Sequence, residues 1–403
     1  MAQSMHCPNT ASRSLAEPKA RSKMQSERIW QEPSFHAKDF SVDIMTTMRG
    51  TPAVITDAAA TKLDMATMVA AAVPATERFI PHFYESNQQY LKVIPMTRNE
   101  LIELLSIPED SSEAEAMRRE ANNLSHKRFH DTSLLLGQIG VERHACPAAC
   151  RFCSFSEDVF KDTRIDLDIP SVVEMSRAFC ASGEVKALFL MCMHDFDASS
   201  LCKLVEAVRG VIPEKTEIVF NIGDCPESLW REFKAAGVSG AYHVLRLREG
   251  TDSQLNPADR KATIAAIRKT GLKWYYCCEP VGPEHTNEEL ADAILLGNEF
   301  GCFQHAAMAR VNFPGSPLAQ YGEISKRRLA QIVAAVALAS ADNPELGSIA
   351  VHEPDMLGLL SGANSVYAEC GFNPRDLETR TEEGRGGSVA RMTAMLTEAD
   401  WRP

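Results

Sequence analysis

The chain has 403 residues, with 42 Lys and Arg against 54 Asp and Glu, a formal net charge of −12 and 45% apolar residues. That balance belongs to a folded globular protein and excludes disordered, collagen-like and low-complexity chains. An acidic surface without a long basic run leaves no footprint for nucleic acid or an anionic membrane, and the longest mostly apolar stretch, Leu329 to Ala341, holds Gln331 and is too short to span a bilayer.

Residues 1–40 are rich in Ser, Lys, Arg, Pro and Gln and lack an apolar period, so they read as a loosely ordered tail. Residues 41–130 read as a helical extension. Leu101, Leu104, Leu105 and Ile107 share one helical face, Pro108 stops the run, and a second helix follows from Ser112 to Arg128. From Leu134 the text becomes a regular cadence of short β-rich runs: Leu134–Val141, Val185–Met193, Thr216–Gly223, Ala241–Leu247, Lys273–Val281, Ala306–Phe313, Ser348–His352 and Ser365–Ala368. Helical patterns lie between most of them, among them Leu201–Val211, Glu227–Ala236, Asp259–Thr270, Glu288–Phe300 and Lys326–Ala339. Near-continuous apolar strands alternating with helices are the mark of a parallel sheet buried on both faces. Eight such units predict an α/β fold, a (β/α)8 barrel over residues 131–375, with 376–403 as a C-terminal tail and helix. A doubly wound open sheet is the alternative, but no GxGxxG follows the first strand.

Twelve cysteines in a chain of this length, with no secretory leader expected, read as thiols of a reducing compartment, and the expected location is cytoplasmic. Three of them are packed into one loop directly after the first strand: Cys146-Pro-Ala-Ala-Cys150-Arg-Phe-Cys153-Ser-Phe155. Three thiols so spaced can turn onto one small inorganic cluster, for which thiolates are the soft ligands, and three ligands leave one iron open to chemistry. A structural zinc would want a fourth ligand, which His144 could supply.

The spacing CxxxCxxC followed by an aromatic residue resembles the cluster motif of the radical S-adenosylmethionine (SAM) superfamily. Four more segments are similar to its biotin synthase-like group: the lead-in Thr97–Ile107, Trp274–Gly282 followed by Glu284, Arg310-Val-Asn-Phe-Pro-Gly-Ser-Pro-Leu318, and Ser361-Gly-Ala-Asn-Ser-Val-Tyr367. The resemblance implies a 4Fe–4S cluster on Cys146, Cys150 and Cys153, with Phe155 beside it. It implies SAM cleaved to a 5′-deoxyadenosyl radical that abstracts hydrogen from a small polar, amino-acid-like substrate, giving rearrangement or C–C bond chemistry in biosynthesis. A reductant such as flavodoxin or ferredoxin is implied as partner. For SAM it points to Arg248, Glu249 and Arg260, with Arg246 as alternate.

The substrate is expected in the lumen, among strand-end residues of both charges: Cys192, His194, Asp195, Asn221, His243, Tyr276, Cys278, Glu279, Arg310, Asn312, His352 and Glu353. Cys278 or Cys192 is a candidate to return a hydrogen atom to a product radical. Two alternatives stand beside this reading. One is a sulfur-inserting, biotin/lipoyl synthase-like enzyme with an auxiliary iron–sulfur cluster, for which Cys192 and the neighbourhoods of Val219, Tyr276 and Ser348 are the corresponding positions. The other is a non-catalytic metal-binding accessory protein. Cys180, Cys202, Cys225 and Cys302 read as buried small residues.

Overall fold

A computed structural model describes residues 95–376 and 380–403 of the chain. The expected tail over 1–40, Cys7 within it, and the part of the extension before residue 95 lie outside the described residues. Two helices lead in, α1 (Arg98–Ser106) and α2 (Ser112–Phe129). Helix α1 starts on a capping box in which Thr97 and Glu100 satisfy each other's backbone amides, and it buries Leu101, Leu104 and Leu105.

Eight parallel strands then close into a barrel in sequence order: β1 (Leu134–Gly140), β2 (Ala187–Met191), β3 (Glu217–Asn221), β4 (Gly240–Tyr242), β5 (Lys273–Val281), β6 (Gln304–Ala309), β7 (Ser348–His352) and β8 (Ser365–Gly371). Between them run α3 (Ile169–Phe179), α4 (Ala198–Arg209), α5 (Glu227–Ala236), α6 (Pro257–Thr270), α7 (Asn287–Glu299), α8 (Lys326–Ala339) and the single turn α9 (Met356–Leu359). Helix α10 (Val389–Glu398) follows the last strand and packs on β1 and β8. The predicted barrel is the observed fold.

Strand ends differ most from the sequence reading in three places. The fourth strand stops at Tyr242 rather than Leu247, although His243 and Leu247 still donate to the carbonyls of Tyr275 and Glu279. The sixth spans Gln304–Ala309, so Phe313 lies in the following loop, and the eighth runs on to Gly371.

The longest apolar stretch is explained by its place. Helix α8 is buried almost all round, against the barrel on one side and α2 and α9 on the other. The polar interruption, Gln331, is fully buried and donates through Nε2 to the carbonyls of Leu104 (3.1 Å) and Ile107 (2.7 Å), so it ties α1 to the barrel. Among the described residues no helix is long and apolar enough to cross a membrane.

Register sets what faces the lumen, because paired residues of parallel strands point the same way. One layer links Met191, Asn221, Tyr242 and Tyr275. Below it the ring of Phe189 meets those of Tyr242, Tyr275 and Tyr367 edge-on, with centroids 6.3, 5.0 and 4.9 Å away. The base of the barrel is thus solid, and the open space lies above it, at the C-terminal ends of the strands.

Candidate active site

An open-mouthed cavity occupies that end. The loop after β1 enters it as a compact turn. Cys146 donates its backbone N–H to the Phe155 carbonyl at 2.7 Å, and Cys153 donates to Cys150 at 3.1 Å. Ala149, at φ 47°, takes the left-handed turn that brings Cys150 round. As a result Cys146, Cys150 and Cys153 all line the cavity, with Phe152 and Phe155. An apolar collar of Ala148, Phe155, Met193 and Phe372 packs around them.

Burial pushes all three thiols up: Cys146 rises, Cys150 reaches about 11, and Cys153 goes higher still, while Arg246 pulls each of them down. Thiols so placed become thiolates only when a metal pays the charge cost of burial. His144 is not their partner. Its ring stands 3.9 Å from Glu142 and from Asp195, outside the cavity lining. Among the described residues no three His, Cys, Asp or Glu side chains are already drawn together as around one ion.

No family model matches the chain. Biotin synthase of Frankia alni is 24% identical over 244 residues, covering 57% of this chain and 68% of that enzyme. A biotin synthase of a Parafrankia species is also 24% identical, over 61% of this chain and 72% of that one. Among solved structures, methylornithine synthase superposes with a TM-score of 0.65 at 16% identity, over 77% of this chain and 95% of that one. The chain is thus similar to proteins of the biotin synthase-like group of the radical SAM superfamily.

Of the residues that the resemblance points to, the lumen keeps some and turns others away. Cys192, His194, Asn221, Arg246, Arg260, Glu279, Arg310 and His352 line the cavity with the cysteine loop. Burial lowers the pKa of His352 to about 3, with Arg375 adding to the effect, so the ring is neutral.

Five of the expected site residues lie away from the cavity. Cys278 faces the helical layer, not the lumen: it is fully buried, absent from the cavity lining, and within the field of Arg328 on α8. Tyr276 points the same way and donates its hydroxyl to the Ala293 carbonyl of α7 at 3.1 Å. Arg248, at φ 56° on the turn after β4, is held by Glu289 (2.8 Å) and the Glu284 carbonyl (2.6 Å), away from the cavity. Glu249 is buried behind the wall, against Ser253 and 3.6 Å from Arg260. Asp195 sits beside His144 with its side chain about half exposed, and it does not line the cavity either.

Two lining arginines are committed to the scaffold. Arg310 pairs with Glu284 and donates to Asn312, Leu318 and Gly322, which fixes the loop after β6. Arg260 donates to the Val244 carbonyl at 2.8 Å and to Asp224 at 3.2 Å, where His243 (2.9 Å) and Thr263 (2.8 Å) converge on the same oxygen. His243 is therefore a packed partner behind the wall, and burial lowers its pKa to about 3.

The sequence reading missed Tyr242, Gln138, Asn373 and Arg375, all of which line the cavity. Tyr242 donates its hydroxyl to Glu279. Arg375 binds Glu353 (2.5 Å) and Glu369 (2.6 Å), so Glu353 is spoken for as well. The Nδ2 of Asn373 and Nε2 of His352 are buried without a partner among the described residues. The positions corresponding to an auxiliary cluster are occupied otherwise. Cys277 lies inward against Tyr242 and Glu279, but Val219 is an aliphatic neighbour of Phe189, and Ser348 is bonded to Ser365 and Gln304 at the base.

Proposed function

We propose that this chain is a radical SAM enzyme in which Cys146, Cys150 and Cys153 hold a 4Fe–4S cluster and the lumen takes a small molecule with an apolar body and a few polar groups. The carrying observation is that all three thiols of one loop line a single cavity at the C-terminal mouth of the barrel, inside an apolar collar. Their chemistry suits the group: soft, desolvated sulfur donors that need metal charge to ionise. When bound, cluster and SAM supply reductive cleavage of SAM and abstraction of a hydrogen atom from substrate.

The chain's own residues do the rest. Arg246 presents a cation of the cavity wall beside the cysteine loop, which suits a carboxylate-bearing ligand such as SAM. Asn221, Asn373, His194 and His352 offer uncharged polar groups, while Met191, Met193, Met308, Ile222 and Val311 cover apolar surface. Tyr242, Phe189 and Tyr367 close the floor, which keeps water from a radical formed above them. A low-potential protein of the flavodoxin or ferredoxin class would deliver the electron.

Anaerobic reconstitution with iron and sulfide tests the reading. About four irons per chain are expected, with release of 5′-deoxyadenosine on addition of dithionite and SAM. Alanine at Cys146, Cys150 or Cys153 should abolish both. A wild-type chain that takes up no iron, or takes it up and leaves SAM intact, would overturn the proposal.

A further inference from the structure

The mouth of the barrel holds several buried guanidiniums, and nearly all are surrounded by their own acceptors. Arg260, Arg310 and Arg375 each bind at least one carboxylate and other oxygens of the fold. Arg246 differs. Its Nε lies 3.2 Å from Glu279, and among the described residues its two Nη atoms have no hydrogen-bond partner. Its Cζ stands 5.8 Å from the ring centre of Phe152, the residue immediately before Cys153, and it lines the cavity with the three thiols. Glu279 is fixed on its other side by the Tyr242 hydroxyl. The backbone is pinned as well: Arg246 donates to Glu249 at 3.1 Å, and Leu247 donates to the Glu279 carbonyl at 2.8 Å. The result is an oriented ion pair whose positive end rests on the cysteine loop and whose negative end is turned toward Tyr242.

We propose that Arg246 is a positioning residue that sets the reduction potential of the cluster, holding a fixed positive charge beside it and so easing entry of one electron. The inference rests on the reading that the cysteine triplet carries the cluster. The reasoning is electrostatic. Reduction moves one electron from a low-potential donor to the cluster; no bond is made or broken, and the net negative charge rises by one. In a chamber collared by Phe155, Met193 and Phe372 that added charge is poorly screened, so a fixed cation favours the reduced state more than the oxidised one. Arginine suits the position because its planar head can lie against Phe152 while its edge meets Glu279, which a lysine ammonium cannot do at once. Tyr242 completes the device by keeping Glu279 at the far end.

The test is the midpoint potential of the reconstituted full-length chain, read by EPR during a dye-mediated redox titration without SAM, alongside iron and sulfide content. Arg246→Gln should shift the potential more negative, and Arg246→Lys should fall between it and wild type. Glu279→Gln removes the carboxylate paired with the guanidinium, leaving Glu249 as the other carboxylate acting on it, and should shift the potential the opposite way. A purely structural contact would lower iron content without moving the two partners in opposite directions. If Arg246→Gln fails to take up iron, Glu279→Gln decides: a shift to more positive potential supports the inference, and no shift or a negative one overturns it. Full iron with unchanged potential in all three variants also overturns it, whereas a wild-type chain without iron refutes the cluster reading itself.

Discussion

The Arg310–Glu284 pair separates a scaffold role from the substrate role that the sequence suggests for Arg310. Side-chain exposures of 1% and 6% put both charges inside the protein. Replacing Arg310 with Met removes the pairing and strips donors from the Leu318 and Gly322 carbonyls, while Glu284, whose Oε2 already lacks a partner among the described residues, stays buried and charged. Breaking a buried pair from one side costs about 3–5 kcal/mol. At about 1.5 °C per kcal/mol for a domain of this size, Arg310→Met should lower Tm by roughly 5 °C or more. The double variant Arg310→Met, Glu284→Leu should recover much of that, because no lone charge remains, giving a coupling of at least about 2 kcal/mol in a double-mutant cycle. Urea unfolding followed by circular dichroism supplies the four stabilities. Additive losses, or a single-variant loss under about 1 kcal/mol, would refute the view that Arg310 is spent on the loop.

Other expectations follow from the same geometry. His305 is fully buried with its pKa lowered to about 4 by burial, against an unfolded value near 6.5, so its contribution is complete above pH 6.5 and is lost as pH falls toward 4; the stability gap between wild type and His305→Gln should narrow by about 2 kcal/mol between pH 7 and pH 4.5 in urea titrations. A Cβ on Gly223 would lie 2.1 Å from the His194 carbonyl oxygen, backbone against backbone at the cavity rim. Gly223→Ala should therefore cost about 1–3 kcal/mol and weaken SAM binding measured by calorimetry. Cys278→Ala should leave iron content and 5′-deoxyadenosine release within about twofold of wild type, with a stability loss of about 1 kcal/mol from the small void; loss of SAM cleavage would place that thiol in the reaction after all.

The barrel was legible because its strands are apolar on both faces, and that same property hid which way their side chains point. In Tyr275-Tyr276-Cys277-Cys278 every residue is fully or almost fully buried, so no alternation marks the lumen side. Glu279 could have settled it. A carboxylate on a buried strand end belongs in the lumen, which puts Cys277 and Tyr275 inward and Cys278 and Tyr276 outward. On the fourth strand the apolar pattern runs on five residues past Tyr242 into the charged turn, so nothing in the sequence marks Tyr242 as the strand end at the lumen. Arg248 and Arg246 are indistinguishable by composition. Only the backbone of that turn, with Arg248 at a positive φ, sends one to Glu289 and the other to the cavity. Asn373 and Arg375 were out of reach for the opposite reason, since the eighth strand extends past Ala368 to Gly371 and carries them to the mouth.

Why so many arginines at the mouth serve the scaffold becomes clear from where the barrel's backbone pairing thins out. Strands β7 and β8 share a single registered pair, Ala350 with Ser365, where other neighbours share three or more. At the base that join is made up by side chains: the hydroxyls of Ser348 and Ser365 are 2.5 Å apart, and Asn364 accepts from the Ile349 amide at 2.8 Å. At the top, Glu353 just after β7 and Glu369 on β8 are bridged twice, by Arg375 and by Arg385 at 2.5–3.0 Å. Two carboxylates and two guanidiniums cancel in charge, so the seam is closed without adding a field to the lumen. The same logic holds for Arg310 with Glu284 between the loops after β6 and β5, and for Arg260 with Asp224 between α6 and the loop after β3. Each pair stitches one strand-end loop to another beyond the last ladder bond, in a setting dry enough for the attraction to count. Arg246 with Glu279 uses the same device on β5, but it leaves two donor nitrogens facing the cavity, and that unspent edge is what sets it apart from the other pairs.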